Sequence, residues 1–467
     1  MDICEEYHAV AAAHLLDIAR FIANTRLADL PPDVVERGRL IVADCIGCIV
    51  AGIAPPPMRR LLAVEQARGG GAVATVLGTS VQLPRDAAAW VNGTAGTWHD
   101  LDEGNLHTRT HAMIQIVPAA FAEAEAAGLS GAALLEALIL AYEASARIWR
   151  ASDIRLAVHP HGTYGPMAAA FALAKLRGDG ADAIAEAASI AATLGVASSR
   201  QTLGDGATVR NVYTGHSGRA GFQAMDLRDA GFTGEHDALA SVFGRIYGDA
   251  FDPAKALDGL GQVWWIRKNY FKRFAYGRYV HGTLDATEAL MARLGSRLTP
   301  ATIDRIDIQT YFMASTMGQQ TIRSAFGTRF SIPVAVASLI ARGPAPLTDD
   351  GAAAFADPVV HDLARRIFVT EDKDLTAAYP AQQPTRFTVR LTDGSVETHA
   401  ADVILGESDL PFAPHVLRDK FVELTRDAWG SAAPHAWDRF GHLEHETNIG
   451  RLANDLREAA RIQGEQE

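Results

Sequence analysis

Apolar residues recur at intervals of three and four along most of the first ~265 residues, a spacing typical of helices with one buried face. Residues 32–52 follow this period, with prolines at the start and a glycine at the end, as expected for helix boundaries. Residues 129–149 repeat it, and Ser130 is the predicted N-cap. Alanine-rich segments at 166–180 and 181–196 predict further helices whose axes can approach closely. The pattern therefore predicts a compact all-helical domain.

The periodicity changes after about residue 268. Residues 303–312, IDRIDIQTYF, alternate between apolar and polar positions as a strand does. Residues 385–405 contain two alternating runs joined by Asp393-Gly394, a pair that favours a type I′ hairpin turn. Between them, residues 329–343 predict a helix that ends at its final glycine. The middle of the chain is therefore predicted to be an α+β module.

Helical periodicity returns from about residue 412, in HVLRDKFVELTRDAW and NIGRLANDLREAARIQ. We expect these last helices to pack back on the first domain. The predicted fold class is mainly α, with a helical domain formed by the N- and C-terminal segments and an α+β domain inserted between them. The expected boundaries are residues 1–268, 269–405 and 406–467.

The net charge of −12 over 467 residues limits the possible partners. It argues against a nucleic-acid-binding protein, which would carry a basic stripe, and against a polybasic membrane anchor. An anionic substrate must then be held by locally placed cations. The longest apolar run, residues 40–56, contains Asp44 and stops at prolines, short of the roughly 20 residues of a membrane span. We therefore expect neither a nucleic acid nor a membrane as partner.

The three cysteines are Cys4, Cys45 and Cys48. Cys45 and Cys48 form a C-x-x-C within an apolar helical pattern, without a second cysteine pair or a thioredoxin-like context, so we predict two buried thiols. The N-terminal stretch is acidic, with Glu5 and Glu6, and lacks the features of a signal peptide or a mitochondrial presequence. We expect a reduced, cytoplasmic protein.

The densest chemistry lies in HDLDEGNLHTRTH, residues 99–111, which holds three histidines, three carboxylates and an arginine between apolar segments. Burial and proximity shift the pKa values of such groups, as general acid–base chemistry requires. A solvated loop would also carry such charges. A metal site is a further alternative, although no H-E-x-x-H is present. Its ligands would come from one set of donors: His99, Asp100, Asp102, His107 and His111.

Three further clusters could position a substrate. HPHGTYGP, residues 159–166, precedes a predicted helix whose N-terminus suits a carboxylate, although the same prolines and glycines would serve as helix caps. GATVRNVYTGHSGRAG, residues 206–221, carries Arg210 and Tyr213. KNYFKRFAYGRYVHGTLDA, residues 268–286, is basic at the expected domain boundary and suits an anion-binding cleft, although a solvated basic face would look the same.

The chain resembles the MmgE/PrpD family over nearly its whole length. Five segments carry the resemblance, in the family's order: residues 34–52, 87–104, 159–178, 272–286 and 329–343. Members include 2-methylcitrate dehydratase, cis-aconitate decarboxylase and iminodisuccinate epimerase. The resemblance implies a helical domain built from both termini, an α/β lid domain between them, a homodimer, and a site in the cleft. It also implies that neither a metal nor an organic cofactor is needed.

Residue by residue, the resemblance assigns roles to nine positions. The expected catalytic residues are Asp100, His111 and His159. The expected substrate-binding residues are Arg210, Tyr213, Lys272 and His281. Two further residues are expected to contact these residues rather than the substrate: Asp102 and His107.

Several positions depart from the decarboxylase pattern. Arg210 stands where those members carry a lysine, Gly277 where they carry a histidine, and Ala112 where proline is frequent. Tyr213 replaces a further common histidine. We therefore predict a cofactor-independent lyase of the dehydratase or hydratase type, similar to 2-methylcitrate dehydratase, that moves a proton at a carbon α to a carboxylate of a small di- or tricarboxylic acid. The alternatives are an epimerase, isomerase or decarboxylase on the same scaffold, and a carboxylate-binding protein without catalysis.

Overall fold

The computed structural model describes the backbone of residues 3–465 and the side chains from residue 12 onward. The helices are α1 Ile3–Asn24, α2 Pro32–Gly52, α3 Pro56–Arg68, α4 Arg85–Gly96, α5 Ala112–Ala126, α6 Gly131–Arg150, α7 Gly165–Leu176, α8 Ala181–Thr193, α9 Gln201–Asp205, α10 Val212–Asp229, α11 Pro253–Leu257, α12 Arg278–Leu294, α13 Phe312–Ser315, α14 Ile332–Arg342, α15 Ala352–Ala356, α16 Pro358–Ala364, α17 Lys373–Ala378, α18 Pro414–Trp429, α19 Ala433–Gly441 and α20 Ile449–Gly464. The strands are β1 Ala74–Thr75, β2 Gln82–Leu83, β3 Ser152–Ile154, β4 Gly248–Phe251, β5 Ile303–Thr310, β6 Ile367–Glu371, β7 Thr385–Leu391 and β8 Val396–Ala401. The protein is mainly α, as the periodicity predicts.

The first hydrophobic core is built by α2, α4 to α8 and α10, with nearly every residue of α7 buried. Ser130 caps α6 by accepting a hydrogen bond from the Ala133 amide at 3.2 Å, as predicted. Small residues let α4 and α10 come into direct contact, since a Cβ added to Gly93 would lie 2.8 Å from the Cα of Gly215. This is the close helix approach that the small-residue composition favours.

A second hydrophobic core lies between residues 280 and 391. Its four-stranded sheet has the order β6-β5-β7-β8, with β5 and β6 parallel and the other neighbouring pairs antiparallel. Buried residues alternate along β7, and α12 and α14 pack against the sheet. The predicted strand at 303–312 and the predicted helix at 329–343 correspond to β5 and α14.

The turn between β7 and β8 differs from the predicted type I′ turn. Only Gly394 has a positive φ, of 87°, whereas a type I′ turn needs two such residues. The Gly394 amide donates to the Leu391 carbonyl at 3.0 Å, and the Leu391 amide donates to the Ser395 carbonyl at 2.9 Å. The connection is therefore a three-residue loop with one left-handed glycine, a form in which Asp393 keeps an ordinary backbone conformation.

The C-terminal helices return to the first core, to which Leu417 and Phe421 of α18 and Leu452 of α20 belong. Lys420 of α18 makes a buried ion pair of 2.6 Å with Asp44 of α2. The first and last parts of the chain are thus joined by both apolar and ionic contacts.

Cys45 and Cys48 are buried free thiols of α2, and burial raises the pKa of both well above the ordinary value. This confirms the prediction for these two residues. Cys4, Glu5 and Glu6 lie outside the described side chains.

Within residues 3–465, no single helix is long and apolar enough to cross a membrane. By length and composition alone, α2 and α3 together could do so, but they are bent by 90° relative to each other. Most of α2 is buried inside the first core.

Candidate active site

The segment between α4 and α5 lines a cavity of about 280 Å³ where the two hydrophobic cores meet. Asp100 and Arg109 of this segment have φ values of 54° and 57°, in the left-handed region that other residues than glycine rarely adopt. The Asn105 side chain accepts hydrogen bonds from the His107 and Thr108 amides at 3.0 and 3.2 Å. Such strained backbone persists only where the surroundings fix it, and it is concentrated at functional sites.

Four buried cations hold the first part of this segment through its backbone carbonyls. The pairs are Arg210 to Thr97 at 3.1 Å, Arg329 to His99 at 3.0 Å, Lys272 to Asp100 at 2.8 Å and Lys420 to Leu101 at 3.0 Å. Each cation comes from a different part of the chain, so tertiary structure fixes the conformation of the segment. Arg210 and Lys272 are predicted from the sequence, whereas Arg329 and Lys420 are not, because nothing near them in sequence indicates where their side chains reach.

The Asp100 carboxylate lies between two of these cations. Arg210 Nη2 is 2.6 Å from Oδ1, Lys272 Nζ is 3.4 Å from Oδ2, and all three side chains are at most 3% exposed. The fold therefore brings three predicted residues together at the cavity wall. The two that are farthest apart in sequence, Asp100 and Lys272, are separated by 172 positions. The Asp102 carboxylate is also within 3.9 Å of Lys272, so two carboxylates balance these two cations. The further positive charge that suits an anionic ligand comes from Arg200, which also lines the cavity.

His111 is oriented by the acidic run that precedes it. Its Nδ1 lies 3.0 Å from Asp102 Oδ2 and 2.5 Å from the Glu103 carbonyl oxygen. Because both of these neighbours are acceptors, we assign the ring proton to Nδ1, which leaves the lone pair on Nε2. Burial alone would raise the pKa of Asp102, but Lys272, His111 and Arg210 together hold it well below the ordinary value. The arrangement is that of a base supported by a permanent negative charge.

His159 has the opposite tautomer. Its Nδ1 accepts a hydrogen bond from the His161 amide at 3.1 Å, so in the neutral ring the proton is on Nε2. Burial lowers the pKa of His159 well below its ordinary value, and the positive charges of Arg210 and Arg200 add to this effect. His159 lines the cavity. It is therefore a neutral hydrogen-bond donor toward the cavity rather than a charged acid.

The ring of His161 lies between those of His111 and His159, with centroid distances of 4.6 and 4.8 Å. Neither of its ring nitrogens has a hydrogen-bond partner among the described residues, although Nε2 is 3.6 Å from Asp102 Oδ2. Burial lowers the pKa of His161 well below its ordinary value. His161 belongs to the motif HPHGTYGP but is not among the site residues predicted from the sequence.

The residues that could hold a metal ion in the structure differ from the predicted set of donors. Asp102, His111 and His161 offer ligand atoms within 4.8 Å of one another, and this is the only such group in the described part of the chain. The Lys272 ammonium, however, is 3.9 Å from Asp102 Oδ1 and would repel a bound cation. His99 of the predicted set instead contacts Arg329, and burial lowers its pKa to about 3.

Besides Asp102, three predicted residues lie outside the cavity wall. The His107 ring is half-buried, 6.5 Å from the Trp265 ring. Tyr213 lies behind His159, with the rings 6.0 Å apart. His281 is buried, with Nε2 3.0 Å from the Tyr276 carbonyl and its ring against Phe274. Neither Tyr213 nor His281 lines the cavity, so the direct substrate contact expected for both stays a prediction.

Two side chains near the cavity were missed. Glu103 accepts hydrogen bonds from the Met113 and Ile114 amides at 2.8 and 3.3 Å and so caps α5. Burial, followed by the negative charge of Asp102, raises the pKa of Glu103 well above the ordinary value.

Arg200 lines the cavity, and its Nε is buried without a hydrogen-bond partner among the described residues. An unpaired guanidinium of this kind is available to an anionic ligand.

Comparison with known proteins finds two family matches and several relatives. Residues 16–253 match the MmgE/PrpD N-terminal domain, and residues 274–437 match the MmgE/PrpD C-terminal domain. The chain is 24% identical to cis-aconitate decarboxylase of Aspergillus terreus over 427 residues, which cover 84% of this chain and 85% of that protein. It is 25% identical to a cis-aconitate decarboxylase-like protein, oryM, of Aspergillus oryzae over 307 residues, which cover 60% of this chain and 62% of that protein.

Proposed function

This chain belongs to the MmgE/PrpD family, and we propose that it is a lyase of the dehydratase type that acts on a small di- or tricarboxylic acid without a metal or an organic cofactor. The observation that carries the proposal is the pair of opposite histidine tautomers beside two buried cations. A carbon next to a carboxylate is a weak acid, so its deprotonation needs both a base and stabilisation of the enolate.

Arg210 and Lys272 are proposed to hold the carboxylate next to the reacting carbon. Both already contact Asp100, and both line the cavity. A substrate carboxylate would share these cations with Asp100, and their N–H groups would donate hydrogen bonds to the enolate as it forms. Arg200, with its unpaired guanidinium, is the proposed partner of a second carboxylate.

His111 is proposed to move the proton. Its Nε2 takes the proton from the carbon, and Asp102 stabilises the resulting imidazolium through Nδ1. In a dehydration, the carbon–oxygen bond then breaks, and the leaving hydroxide takes the proton from His111 to become water. One histidine therefore serves first as base and then as acid, and it is neutral again at the end of the reaction.

His159 is proposed to stabilise the enolate as a neutral donor. A neutral imidazole gives up its proton too reluctantly to act as a general acid, but its N–H can hydrogen-bond a developing oxyanion. Arg210 and Arg200 help to keep this ring uncharged, because a second positive charge beside them is unfavourable. The sequence predicts His111 and His159 as an undifferentiated proton-transfer pair, and the tautomers support different roles for the two rings.

Decarboxylation is the second candidate, because the curated relatives named above are a cis-aconitate decarboxylase and a decarboxylase-like protein. Loss of CO2 would form the same enolate, which His111 in its protonated form would then protonate at carbon. Arg210 and Gly277, which replace a lysine and a histidine of the decarboxylase pattern, favour dehydration.

NMR of the protein with hydroxy-, unsaturated and amino-polycarboxylates in D2O tests the proposal. Deuterium at the α-carbon together with a new C=C bond is the expected result. Exchange without elimination would favour an epimerase, and loss of CO2 would favour a decarboxylase. Replacing His111 with glutamine should abolish exchange, while the matched control His435→Gln, at an exposed position of α19, should not. A protein that exchanges no deuterium with any of these acids is not a carbon-acid enzyme of this class.

A further inference from the structure

One wall of the cavity is apolar and begins directly beside the cations. The Phe330 ring centroid is 5.9 Å from the Arg210 guanidinium carbon. Met313, Met317 and Leu203 continue this wall and also line the cavity. A substrate whose carboxylate reaches Arg210 therefore meets hydrocarbon on this side, where a charged group would lose its hydration without gaining a partner.

Gly277 keeps this wall free of polar side chains. Its amide donates to the Arg329 carbonyl at 2.9 Å, and it precedes the first turn of α12. A Cβ at this position would lie 3.2 Å from Phe330 Cδ1 and 3.5 Å from Met317 Cε. A Cβ at residue 277 would thus be tight against Phe330 and in ordinary contact with Met317, and these two side chains present an apolar surface at this point of the cavity.

The apolar wall continues into a second cavity of about 410 Å³. Polar residues also line this second cavity: Ser199, Gln201 and Gln319. Five residues line both cavities, and four of them are apolar: Leu156, Arg200, Leu203, Met317 and Phe330. Gly204 and Thr316, both exposed, line only the second cavity. Leu156 is 48% exposed, so the path leads outward to the protein surface.

We propose that the substrate carries a hydrocarbon substituent that runs from the cationic site over Phe330 and Met317 into the second cavity. The substrate class is then an alkyl-substituted dicarboxylic acid, with its carboxylates at Lys272, Arg210 and Arg200 and its alkyl chain along the shared wall. This inference rests on the proposed function for the anionic end of the substrate. The apolar end follows from the wall itself, because burying each methylene group on it removes apolar surface from water.

Isothermal titration with a series of 2-alkylsuccinates, from methyl to hexyl, tests this inference. Affinity should rise about fourfold per added methylene until the second cavity is filled, which corresponds to about 0.8 kcal/mol per methylene. Thr316→Trp and Gly204→Phe, which fill the second cavity from two elements, should each abolish the increase beyond the shortest chains. The matched control Thr392→Trp, at an exposed position of the β7–β8 loop, should keep it.

Affinity that is absent, or that does not change with chain length, would overturn the inference. So would an increase that persists in both blocking variants. The readout is equilibrium binding, so it is independent of turnover. A protein that binds the longer acids more tightly but exchanges no deuterium would contradict the proposed function alone, and the reverse result would contradict this inference alone.

Discussion

Asp102 Oδ2 lies 3.0 Å from His111 Nδ1, and the Lys272 ammonium lies 3.9 Å from the other oxygen of the same carboxylate. The carboxylate is fully buried, and Lys272, His111 and Arg210 outweigh the effect of burial to hold its pKa well below the ordinary value. Asp102 is therefore a permanent negative charge at the back of the imidazole. Together with the Glu103 carbonyl it fixes the position of the ring proton, and it stabilises the charge that His111 acquires.

Replacing Asp102 with asparagine should lower kcat by roughly 10²–10⁴-fold, because a neutral amide cannot stabilise the positive charge that His111 acquires when it takes the proton. The far-UV circular dichroism should stay the same, since the replacement is nearly isosteric. Steady-state rates of the wild type and the variant, measured with the substrate identified by NMR, give the comparison. A variant with kcat within threefold of wild type would show that the carboxylate does not support the base.

Much of the helical framework could be predicted from the sequence because its signals are local. The Ser130 cap, the prolines before α2 and the glycine after α14 stand next to the apolar periods that they delimit. The β7–β8 hairpin was also located, but its loop length was not, because Asp393-Gly394 suits both a two-residue and a three-residue connection.

The site was predictable only in part, and for a physical reason. Asp100 and Arg210 are 110 residues apart, and only the assembled fold shows that they form an ion pair. His281 shares a motif with Lys272, yet the two face different surroundings because a helix begins between them. The tautomers of His111 and His159 depend on backbone groups of Glu103 and His161, and residue type does not indicate such contacts.

Lys420 is expected to support both stability and catalysis. It pairs with buried Asp44 at 2.6 Å and donates to the Leu101 carbonyl between the two site aspartates at 3.0 Å. Lys420→Met should lower the free energy of unfolding by about 3–5 kcal/mol, because it leaves Asp44 buried without a partner. Urea denaturation followed by circular dichroism measures this change.

The double variant Asp44→Asn/Lys420→Met separates the two roles of Lys420. It should recover most of the lost stability, because the unpaired charge is gone. Its kcat, like that of Lys420→Met, should stay below that of the wild type, because the Leu101 carbonyl lacks its donor in both variants. Full recovery of both quantities would mean that Lys420 matters only through its ion pair.

His281 should make the protein less stable as the pH falls. Burial, followed by Arg278 and Lys272, lowers its pKa well below the ordinary value. Between pH 6.5 and that lowered pKa the unfolded chain binds one proton more than the folded chain at this residue. The stabilisation is therefore complete above pH 6.5 and decreases by about 1.36 kcal/mol per pH unit below it.

The contribution of His281 can be isolated by substitution. Glu143 acts in the opposite direction, because burial raises its pKa to about 7, so the total slope of the wild type does not report on one residue. Urea denaturation at pH 7.5, 6.5 and 5.5 should give His281→Gln a slope about 1.36 kcal/mol per pH unit shallower than that of the wild type in the acidic range. The exposed control His435→Gln should keep the wild-type slope. Equal slopes for the wild type and His281→Gln would show that the buried ring titrates normally.

The role of His159 can be tested with two variants that differ in one property. Its Nδ1 is engaged by the His161 amide at 3.1 Å, so only Nε2 can donate to a ligand. His159→Gln retains an N–H donor near the position of Nε2, whereas His159→Leu removes it. If the ring stabilises the enolate as a neutral donor, His159→Leu should lower kcat by roughly 10²–10³-fold and His159→Gln by no more than about tenfold.

The pH profile of kcat/KM should be the same for His159→Gln and the wild type, since neither side chain changes charge near neutral pH. Equal losses in the two variants, or a missing acidic limb in the Gln profile, would instead indicate that a protonated His159 transfers its proton to the substrate.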